Sequence, residues 1–351
     1  MIPRKVDELK VDDILARPVM VDKYRELLAE NTKLKREYIL KLKEFPIDIV
    51  YIREREIYDQ NEINDLKIAS STNLKEKVKN ILEGHIHQEN SELQKLCEAA
   101  DVIIEDILSE EKVLERIFDI KERSSDIYEH SLNVCIFAII MSLKENFNKS
   151  VIHDIGVGCL LHELGLRYIL TDFSNKNLNQ IPKYQAEEYK KHPIYGYYAV
   201  ETEDWLTELS KNIILYHHER FDGTGYPLKI KNYSKEIMLV NVCDTFDEMI
   251  SGIGFSKIKV YEAVEYLKSY STQYFDKHFV DVFLQFTAVY PTNSIVKMSN
   301  GEIGVVIRQN KQFPERPVLR ITKDKNGNLC EELRYIDLLK VHDVFIDEVM
   351  V

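Results

Sequence analysis

Two adjacent histidines, His217 and His218, stand in the stretch YHHERFDGTGYP, just before a glycine-rich turn. Imidazoles followed by an acid are side chains that bind transition metals and move protons. Three other histidines lie beside an acid or a proline in the same part of the chain: His130, His162 and His192. Five imidazoles could form a metal cluster if the fold brings them together, although each also has a simpler explanation.

Four of the candidate ligands form two short-range pairs. His130 follows Asp126 by four residues in a helical pattern, which predicts that both side chains project from one helix face. A surface ion pair is the alternative. His162 and Glu163 close the apolar run VIHDIGVGCLLHE, and as neighbours they point about 100° apart, so each could reach a different ion. Interaction of the histidine with the helix dipole is the alternative there.

The remaining candidates lie at predicted helix ends. His192 precedes Pro193, and a proline in the first helical turn places this histidine at the start of a helix, where it needs no function. His217 and His218 follow the apolar run NIILY, so a helix would deliver both at its C-terminal end. Asp244 ends the run IMLVNVCD, where an unpaired carboxylate is costly to bury, although it could cap the next helix.

Taken together, these residues predict a cluster of metal ions. Imidazole and carboxylate without thiolate suit iron, manganese, zinc or nickel. Two such ions about 3.5–4 Å apart can share a bridging hydroxide and clamp a phosphate for in-line attack. The sequence contains no P-loop, no glycine-rich dinucleotide fingerprint and no serine or cysteine nucleophile arrangement that would favour another chemistry.

Helices are the elements that must position this cluster. From about Asn90 to Tyr290, apolar residues recur at helical spacing in successive segments, which predicts an all-α domain of about 200 residues. A helix with Leu74, Val78, Ile81 and Leu82 on one face precedes it. Apolar stripes on the helices between 72 and 108 would suit a homodimer if they are exposed.

The flanking segments have a different pattern. The first 60 residues mix strand-like pieces with one helical piece, KREYILKLKEF, and predict a small α+β module. After Pro291, β-rich runs flank Asn300-Gly301 and Asn326-Gly327, which predicts type I′ hairpins in a small β-barrel or meander. We therefore predict a mainly α protein with four parts: an α+β module (1–60), a helical connector (61–110), the metal-site domain (111–290) and a β domain (291–351).

Composition limits the partners. The 351-residue chain has a formal net charge of −12, so a long nucleic acid or an anionic membrane would be repelled, whereas a small anionic ligand in a locally positive site is allowed. Its five cysteines are never spaced as CxxC, which argues against a disulfide framework and a cysteine zinc site. The longest apolar run, VCIFAIIMSL, is too short to span a bilayer. We expect a cytoplasmic protein.

Five segments carry a family resemblance. In chain order, EHSLNV, LLHELG, HPIYG, HHERFDGTGYP and VCDTFDEM resemble the HD-GYP family of metal-dependent cyclic-di-GMP phosphodiesterases, a branch of the HD phosphohydrolase superfamily. The resemblance implies an all-helical HD-type domain that uses a metal-bridged hydroxide to hydrolyse cyclic-di-GMP to linear pGpG, GMP or both. It also implies two or three divalent ions, with iron or manganese preferred over zinc or nickel.

The resemblance assigns roles to individual residues. It implies metal ligation by Asp126, His130, His162, Glu163, His192, His217, His218 and Asp244, with His162, Glu163 and Asp244 also catalytic. Glu163 stands where the family has aspartate, and its extra methylene can alter the ion separation and slow the reaction. Asp126 stands where members with three ions carry a glutamate. The turn after the paired histidines is expected to wall the cluster and contact substrate through Asp222, Gly223, Gly225, Tyr226 and Pro227.

Three basic positions of the family are lost. Its lysine after the HD motif aligns with Leu166, and its pair of phosphate-binding arginines aligns with Ile253 and Ser256. Each lost charge-assisted contact is worth roughly 1.5–3 kcal/mol. Arg167 and Lys257 lie nearby in sequence and could bind substrate instead. Two alternatives to hydrolysis of cyclic-di-GMP follow: a weak or inactive metal- and nucleotide-binding module that signals to a protein partner, or a phosphodiesterase for another cyclic dinucleotide.

Overall fold

The computed structural model describes residues 2–11, 13–20, 26–29, 32–43, 45, 47, 49–53, 72–84, 92–109, 118, 120, 125–170, 172–310 and 313–350. Its contacts divide the chain into two compact units, Met1–Glu62 and Ile63–Val351. The predicted four-part division stays a prediction, and its boundaries at 60/61 and 110/111 lie outside the described residues.

The first unit is a small α+β fold. Its elements are β1 (Ile2–Lys5), a 3-10 turn (Val6–Glu8), β2 (Ile14–Leu15), β3 (Val19–Met20), β4 (Glu26–Leu28), α1 (Arg36–Leu42) and β5 (Ile49–Arg53). Strand β5 pairs antiparallel with β1 and β2, and β3 pairs with β4. Leu15, Leu34, Leu42 and Ile52 are almost fully buried and form its core. The helix predicted from KREYILKLKEF is confirmed as α1.

The second unit begins with helices. They are α2 (Thr72–Gly84), α3 (Lys95–Ser109), α4 (Ile127–Lys144), α5 (Lys149–Leu161), a 3-10 helix (Leu164–Tyr168), α6 (Lys183–Tyr189), α7 (His192–Val200), α8 (Glu208–Tyr216), α9 (Lys235–Ser251), α10 (Val260–Ser269) and α11 (Lys277–Leu284). One continuous hydrophobic core joins α2–α5, the 3-10 helix and α7–α11. The mainly α fold class predicted from helical periodicity is confirmed.

Helix α4 is the central helix of this core. Its residues from His130 to Ser142 are all buried, so this stretch is covered by protein on every face. By length and hydropathy alone α4 could cross a membrane, but 72% of its apolar window is buried inside the protein. Its apolar character is therefore explained by its place in the core.

The apolar stripes of α2 and α3 are covered by their own chain. Leu74, Val78 and Ile81 on α2, and Ile103 and Ile107 on α3, are buried in the core that these helices share with α4 and α5. The sequence argument for a homodimer assumed that these stripes face solvent. That argument is wrong for these residues, because the periodic positions pack inside one chain.

The C-terminal segment is an antiparallel sheet. Its strands are β6 (Ile295–Met298), β7 (Ile303–Arg308), β8 (Val318–Lys323), β9 (Leu329–Asp337) and β10 (Ile346–Met350), in the order β10-β6-β7-β8-β9. The two predicted hairpins are confirmed as β6–β7 and β8–β9. Their type I′ turns are not: Gly301 and Gly327 have φ of +86° and +84°, but Asn300 and Asn326 do not adopt positive φ. A three-residue loop with glycine in the left-handed position explains both turns.

Candidate metal centre

A buried group of ionisable side chains lies where five helices meet. It comprises His130 on α4, His162 and Glu163 directly after α5, His192 at the start of α7, His217 and His218 directly after α8, and Asp244, Asp247 and Glu248 on α9. We call this group the His-carboxylate cluster. Each member is at most 8% exposed. Burial of so many ionisable groups is costly unless they are paired or bind metal.

Close backbone packing brings the cluster together. Helix α4 packs on α5 and α9, and α8 packs on α5, α7 and α9. Gly158 lets α5 approach α8, because a Cβ there would lie 3.0 Å from Ile213. A Cβ on Gly165 would lie 1.8 Å from the His192 carbonyl oxygen and 2.7 Å from the Gly196 nitrogen. Only glycine therefore allows the 3-10 helix after Glu163 to rest directly on the start of α7.

Three histidines are held by the same backbone contact. The Nδ1 atoms of His162, His192 and His217 lie 2.6, 2.8 and 2.9 Å from carbonyl oxygens three residues earlier in the chain. A carbonyl can only accept a hydrogen bond, so Nδ1 carries the proton in each ring. The unprotonated Nε2 atoms face into the cluster, which is how metal-binding imidazoles are commonly oriented.

The Nε2 atoms approach one another too closely for two free lone pairs. His192 Nε2 lies 3.0 Å from His217 Nε2. Burial lowers the pKa of each ring to about 3, so a shared proton does not explain the contact at neutral pH. Imidazole nitrogens about 2.1 Å from a shared ion lie roughly 3.0–3.4 Å apart at ligand angles of about 90–110°. The pair therefore fits a metal cation.

Two carboxylates have unsatisfied oxygens in the same place. Among the described residues, neither oxygen of Glu163 or Asp244 accepts a hydrogen bond. Their nearest polar neighbours are imidazole nitrogens: Glu163 Oε2 lies 3.2 Å from His192 Nε2, and Asp244 Oδ1 lies 3.2 Å from His162 Nε2. Because these nitrogens are also acceptors, the centre of the cluster contains acceptor atoms facing acceptor atoms. Such a donor set needs cations.

His130 differs from the other histidines. Its Nδ1 lies 2.9 Å from Asp247 Oδ2, and its Nε2 lies 3.2 Å from both His162 Nε2 and Asp244 Oδ1. Burial opposes protonation, but the adjacent carboxylates of Asp244 and Asp247 raise the pKa of His130 well above its usual value. A carboxylate behind Nδ1 orients a metal-binding ring and increases its basicity. Ligation of metal by His130 would therefore displace a proton.

The cluster divides into three sets of ligand atoms, each set lying within 4.8 Å. They are Glu163, His192, His217 and His218; His130, His162 and Asp244; and His218, Asp244 and Glu248. His218 and Asp244 each belong to two sets, so ions in neighbouring sets would be adjacent. The histidine and carboxylate donors fit more than one divalent transition-metal ion.

The loop after His218 is held by a buried glutamate. Glu219 accepts backbone hydrogen bonds from Leu228 at 2.6 Å, Lys229 at 2.9 Å and Ile230 at 3.1 Å. Burial raises the pKa of Glu219, and these backbone donors oppose that rise. The charged acceptor thereby closes the loop onto the end of α8.

The predicted substrate loop forms a wall beside the cluster. The Tyr226 ring lies 4.5 Å from that of His218, and the Tyr226–Pro227 peptide is cis. A Cβ on Gly225 would lie 2.5 Å from the His218 carbonyl oxygen, and Gly223 has φ of +77°, so both positions require glycine. Asp222 accepts hydrogen bonds from the backbone and hydroxyl of Thr224, so its carboxylate shapes the turn.

Asp126 is not brought to the cluster, contrary to the sequence prediction. It precedes α4 as the N-cap, with φ of −105°, and its carboxylate accepts from the Tyr128 and Glu129 backbone nitrogens. Asp126 Oδ2 also lies 2.5 Å from Lys75 Nζ. The prediction assumed a continuous helix from Asp126 to His130, but a capping residue turns its side chain back toward the free N–H groups.

The two basic residues proposed as substitutes lie in different surroundings. The Arg167 guanidinium donates to the carbonyls of Leu82 and Glu83 at the end of α2. Lys257 is exposed, and its backbone nitrogen donates to Asn175 Oδ1. Arg167 therefore stabilises the α2 end, as cations commonly do at helix C-termini. Its predicted role in substrate binding does not agree with this placement.

The positions that lack the family's cations have other environments. Ile253 is 6% exposed and forms a β-bridge with Ser174. Leu166 and Ser256 are partly buried. Ile253 thus places a buried apolar side chain at the position that resembles the family's phosphate-binding arginine.

Sequence reasoning missed three members of this region: Asp247, Glu248 and Glu219. Asp247 and Glu248 follow Asp244 by three and four residues on α9, so the helical period places them on the same face. That spacing was a detectable signal. Glu219 gave no comparable signal, because its role depends on a loop that folds back from nine to eleven residues later.

Comparison with known proteins agrees with this geometry. The profile of the HD domain matches residues 103–279, and that of a KOW domain associated with HD domain matches residues 295–351. The cyclic di-GMP phosphodiesterase PA4108 of Pseudomonas aeruginosa is 24% identical over 241 residues, 68% of this chain and 58% of that protein. The cyclic di-GMP phosphodiesterase PdeB of Borreliella burgdorferi is 25% identical over 210 residues, 58% of this chain and 54% of that protein. The chain thus spans just over half the length of these relatives.

A solved structure supports the fold. Bd1817, an HDG"Y"P protein from Bdellovibrio bacteriovorus, aligns with a TM-score of 0.52 at 19% identity, covering 80% of this chain and 97% of that one. The HD profile covers half of the chain and includes every helix that carries the cluster. With its HD-type helices, its buried histidines and the HHERFDGTGYP stretch, the chain belongs to the HD domain family, in the HD-GYP branch.

Proposed function

We propose that this protein is a metal-dependent phosphodiesterase that hydrolyses cyclic-di-GMP to linear pGpG, GMP or both. The observation that carries the proposal is the His-carboxylate cluster, in which unprotonated Nε2 atoms and unsatisfied carboxylate oxygens face one another. The curated relatives are named cyclic di-GMP phosphodiesterases, which supports the choice of substrate.

The proposed metal ligands are His130, His162, Glu163, His192, His217, His218 and Asp244. Divalent ions held there lower the pKa of water and polarise phosphoryl oxygens, which suits hydrolysis of a phosphodiester. The chain orients the imidazoles through backbone carbonyls, excludes bulk water by apolar packing and closes one side with the Glu219-held loop. The nitrogen and oxygen donors suit iron, manganese, zinc or nickel, and the family resemblance favours iron or manganese among them.

Glu163 is proposed to span two ligand sets. Its Oε2 lies 3.2 Å from His192 Nε2, and its Oε1 lies 3.7 Å from His130 Nε2. One carboxylate thus reaches the histidines of both neighbouring sets. The longer glutamate side chain is compatible with a bridging role, so the change from the family's aspartate does not by itself exclude activity.

A second candidate function is a binding module that holds metal and nucleotide and signals to a partner protein. Two observations favour it: a buried isoleucine, Ile253, stands where the family has an arginine, and Arg167 is engaged by α2. A third is hydrolysis of a different cyclic dinucleotide, whose phosphates need other anchors. We also propose that no long nucleic acid is a partner, because the chain carries a net charge of −12. We further propose a cytoplasmic location, since the long apolar helix α4 is mostly buried inside the protein.

Metal analysis combined with turnover tests these alternatives. The full chain would be purified anaerobically, its metal content per chain measured, and hydrolysis of cyclic-di-GMP followed with added Mn²⁺ or Fe²⁺. His162→Ala serves as the control that removes one ligand. We expect bound metal and turnover in the wild type and loss of turnover in the variant.

The two readouts separate the candidate functions. Bound metal without turnover of cyclic-di-GMP or cyclic-di-AMP would favour the binding module. Turnover of cyclic-di-AMP but not of cyclic-di-GMP would mean that the reaction is as proposed and that the substrate is a different cyclic dinucleotide. Metal at background level would contradict every version of the proposal.

A further inference from the structure

Glu248 is a buried acid that the sequence prediction did not use. It lies four residues after Asp244 on α9, so both carboxylates project from one face of the helix. Glu248 is 3% exposed, and its Oε1 lies 3.9 Å from His218 Nε2. Ligand atoms of His218, Asp244 and Glu248 all lie within 4.8 Å of one another.

An independent observation points to a ligand at this position. His218 is 8% exposed, and its Nε2 has no hydrogen-bond partner among the described residues. A buried, unpaired imidazole nitrogen facing a carboxylate is a donor arrangement that a divalent cation completes.

The surroundings of Glu248 make a bare carboxylate unfavourable. Two other buried acids, Asp244 and Glu163, belong to the same cluster, and their negative charges repel that of Glu248. Its described hydrogen bond comes from the hydroxyl of Tyr189, at 3.4 Å from Oε1. A nearby cation would offset the repulsion among three acids, whereas a single neutral hydroxyl does not.

We propose that His218, Asp244 and Glu248 form a third metal position, which replaces the one that the sequence assigned to Asp126. The inference deepens the proposed function and rests on it for the two neighbouring ions. The site takes a divalent transition-metal ion such as Mn²⁺ or Fe²⁺, since its donors are one imidazole and two carboxylates.

Tyr189 and Gly254 are positioning residues for this site. Gly254 has φ of +65°, and a Cβ there would lie 2.7 Å from the Tyr189 hydroxyl and 3.1 Å from Glu248 Oε1. The segment Gly252–Ser256 therefore lies against Glu248. This segment has no basic residue, so an ion at Glu248 provides positive charge on this side of the cluster, where a substrate phosphate would otherwise meet carboxylates.

Metal counting with paired variants tests the third position. The full chain would be depleted of metal, dialysed against graded concentrations of Mn²⁺, and analysed for manganese per chain. Glu248→Gln keeps the shape of the side chain and removes its charge, and Asp126→Asn is the matched control at the alternative position. We expect three ions in the wild type, two in Glu248→Gln and three in Asp126→Asn.

A second variant keeps the test decisive if Glu248→Gln fails to fold. Tyr189→Phe removes only the hydroxyl that holds Glu248, and loss of such a supporting contact weakens metal binding about 10–100-fold. We expect the weakest of the three manganese affinities to fall by about 10-fold or more in Tyr189→Phe while the other two are unchanged. Three unchanged affinities would overturn the inference.

Other outcomes also decide the question. A wild-type count of two ions overturns the third position whatever the variants do. Loss of an ion in Asp126→Asn but not in Glu248→Gln restores the sequence assignment. Three ions without cyclic dinucleotide turnover would support the third position and refute the proposed function. Turnover with only two ions would support the proposed function and refute the third position.

Discussion

Replacing Gly165 by alanine tests whether one backbone contact sets the geometry of the cluster. On the present backbone, the added Cβ would lie 1.8 Å from the His192 carbonyl oxygen and 2.7 Å from the Gly196 nitrogen. Close carbon–oxygen contacts lie at about 3.3–3.6 Å, so the two segments would have to separate by about 1.5 Å. Both opposing atoms belong to the backbone, and no flexible side chain can move aside.

The separation should be measurable as stability and as metal affinity. Overpacking typically costs about 1–3 kcal/mol, and we expect the upper end, about 3 kcal/mol, because only backbone can give way. In a 351-residue protein, with an unfolding entropy of about 2.1 cal/mol/K per residue, that corresponds to a fall in Tm of roughly 4 °C. The start of α7 would also move, and His192 would move with it. The distance between His192 Nε2 and His217 Nε2, now 3.0 Å, would then increase. Manganese affinity should therefore fall as well.

The assay compares Gly165→Ala with Gly84→Ala. A Cβ on Gly84 would meet nothing within 4 Å, and alanine is favoured over glycine in helices, so this control should be neutral or slightly stabilising. Thermal denaturation with and without Mn²⁺, together with manganese per chain, gives both quantities. Wild-type Tm and metal content in Gly165→Ala would refute the argument that this contact positions His192.

Three further predictions concern the acids and histidines of the site. Glu163→Asp withdraws the carboxylate by about 1.5 Å, so it can no longer reach both ligand sets. Manganese content and turnover should therefore fall. A rise in turnover would instead show that the longer glutamate slows the reaction. Glu219→Gln weakens three charge-assisted backbone hydrogen bonds, each worth roughly 1.5–3 kcal/mol, so amide exchange at 228–230 should accelerate; unchanged exchange would mean that the charge is dispensable. Metal-depleted protein should lose stability as pH falls from 6.5 toward about 3. Burial lowers the pKa of three histidines, to about 3 in His192 and His217 and well below the usual value in His218. Burial raises the pKa of Glu248 above 4.5, which acts in the opposite direction. The unfolded chain then binds up to three more protons on the histidines and one fewer on the acid, a net difference of about two; urea denaturation that shows equal or greater stability at pH 5 than at pH 7 would contradict this sign.

Much of the fold followed from local patterns. Helical spacing of apolar residues predicted α2, α4, α5, α8 and α9, because a helix that packs on one side repeats its apolar positions every three to four residues. Glycine after asparagine predicted the two hairpins of the C-terminal sheet. The turn type was wrong, since the loop length depends on which backbone groups pair across the strands.

The site was predicted in part for the same reason. His130, His162, His192, His217, His218, Glu163 and Asp244 were singled out by residue type and helix position, and the structure brings all seven into one buried cluster. Asp126 was placed on the wrong side of a helix boundary. That boundary depends on the capping hydrogen bonds to Tyr128 and Glu129 and on the ion pair with Lys75, which joins residues 51 positions apart.

The amino-acid sequence by itself determined the chemistry of this protein: nitrogen and oxygen ligands without sulfur, a glycine-rich wall, and helices long enough to deliver them. Residue type and local spacing are sufficient for those properties. Only the tertiary structure decided which acids share the centre. Glu248 and Asp247 enter it because α9 packs against α4 and α8, while Arg167 leaves it because the end of α2 lies within reach of its guanidinium. Such choices depend on contacts between distant segments: the local spacing places Asp247 and Glu248 on the same face of α9 as Asp244, but it does not tell which helices that face packs against.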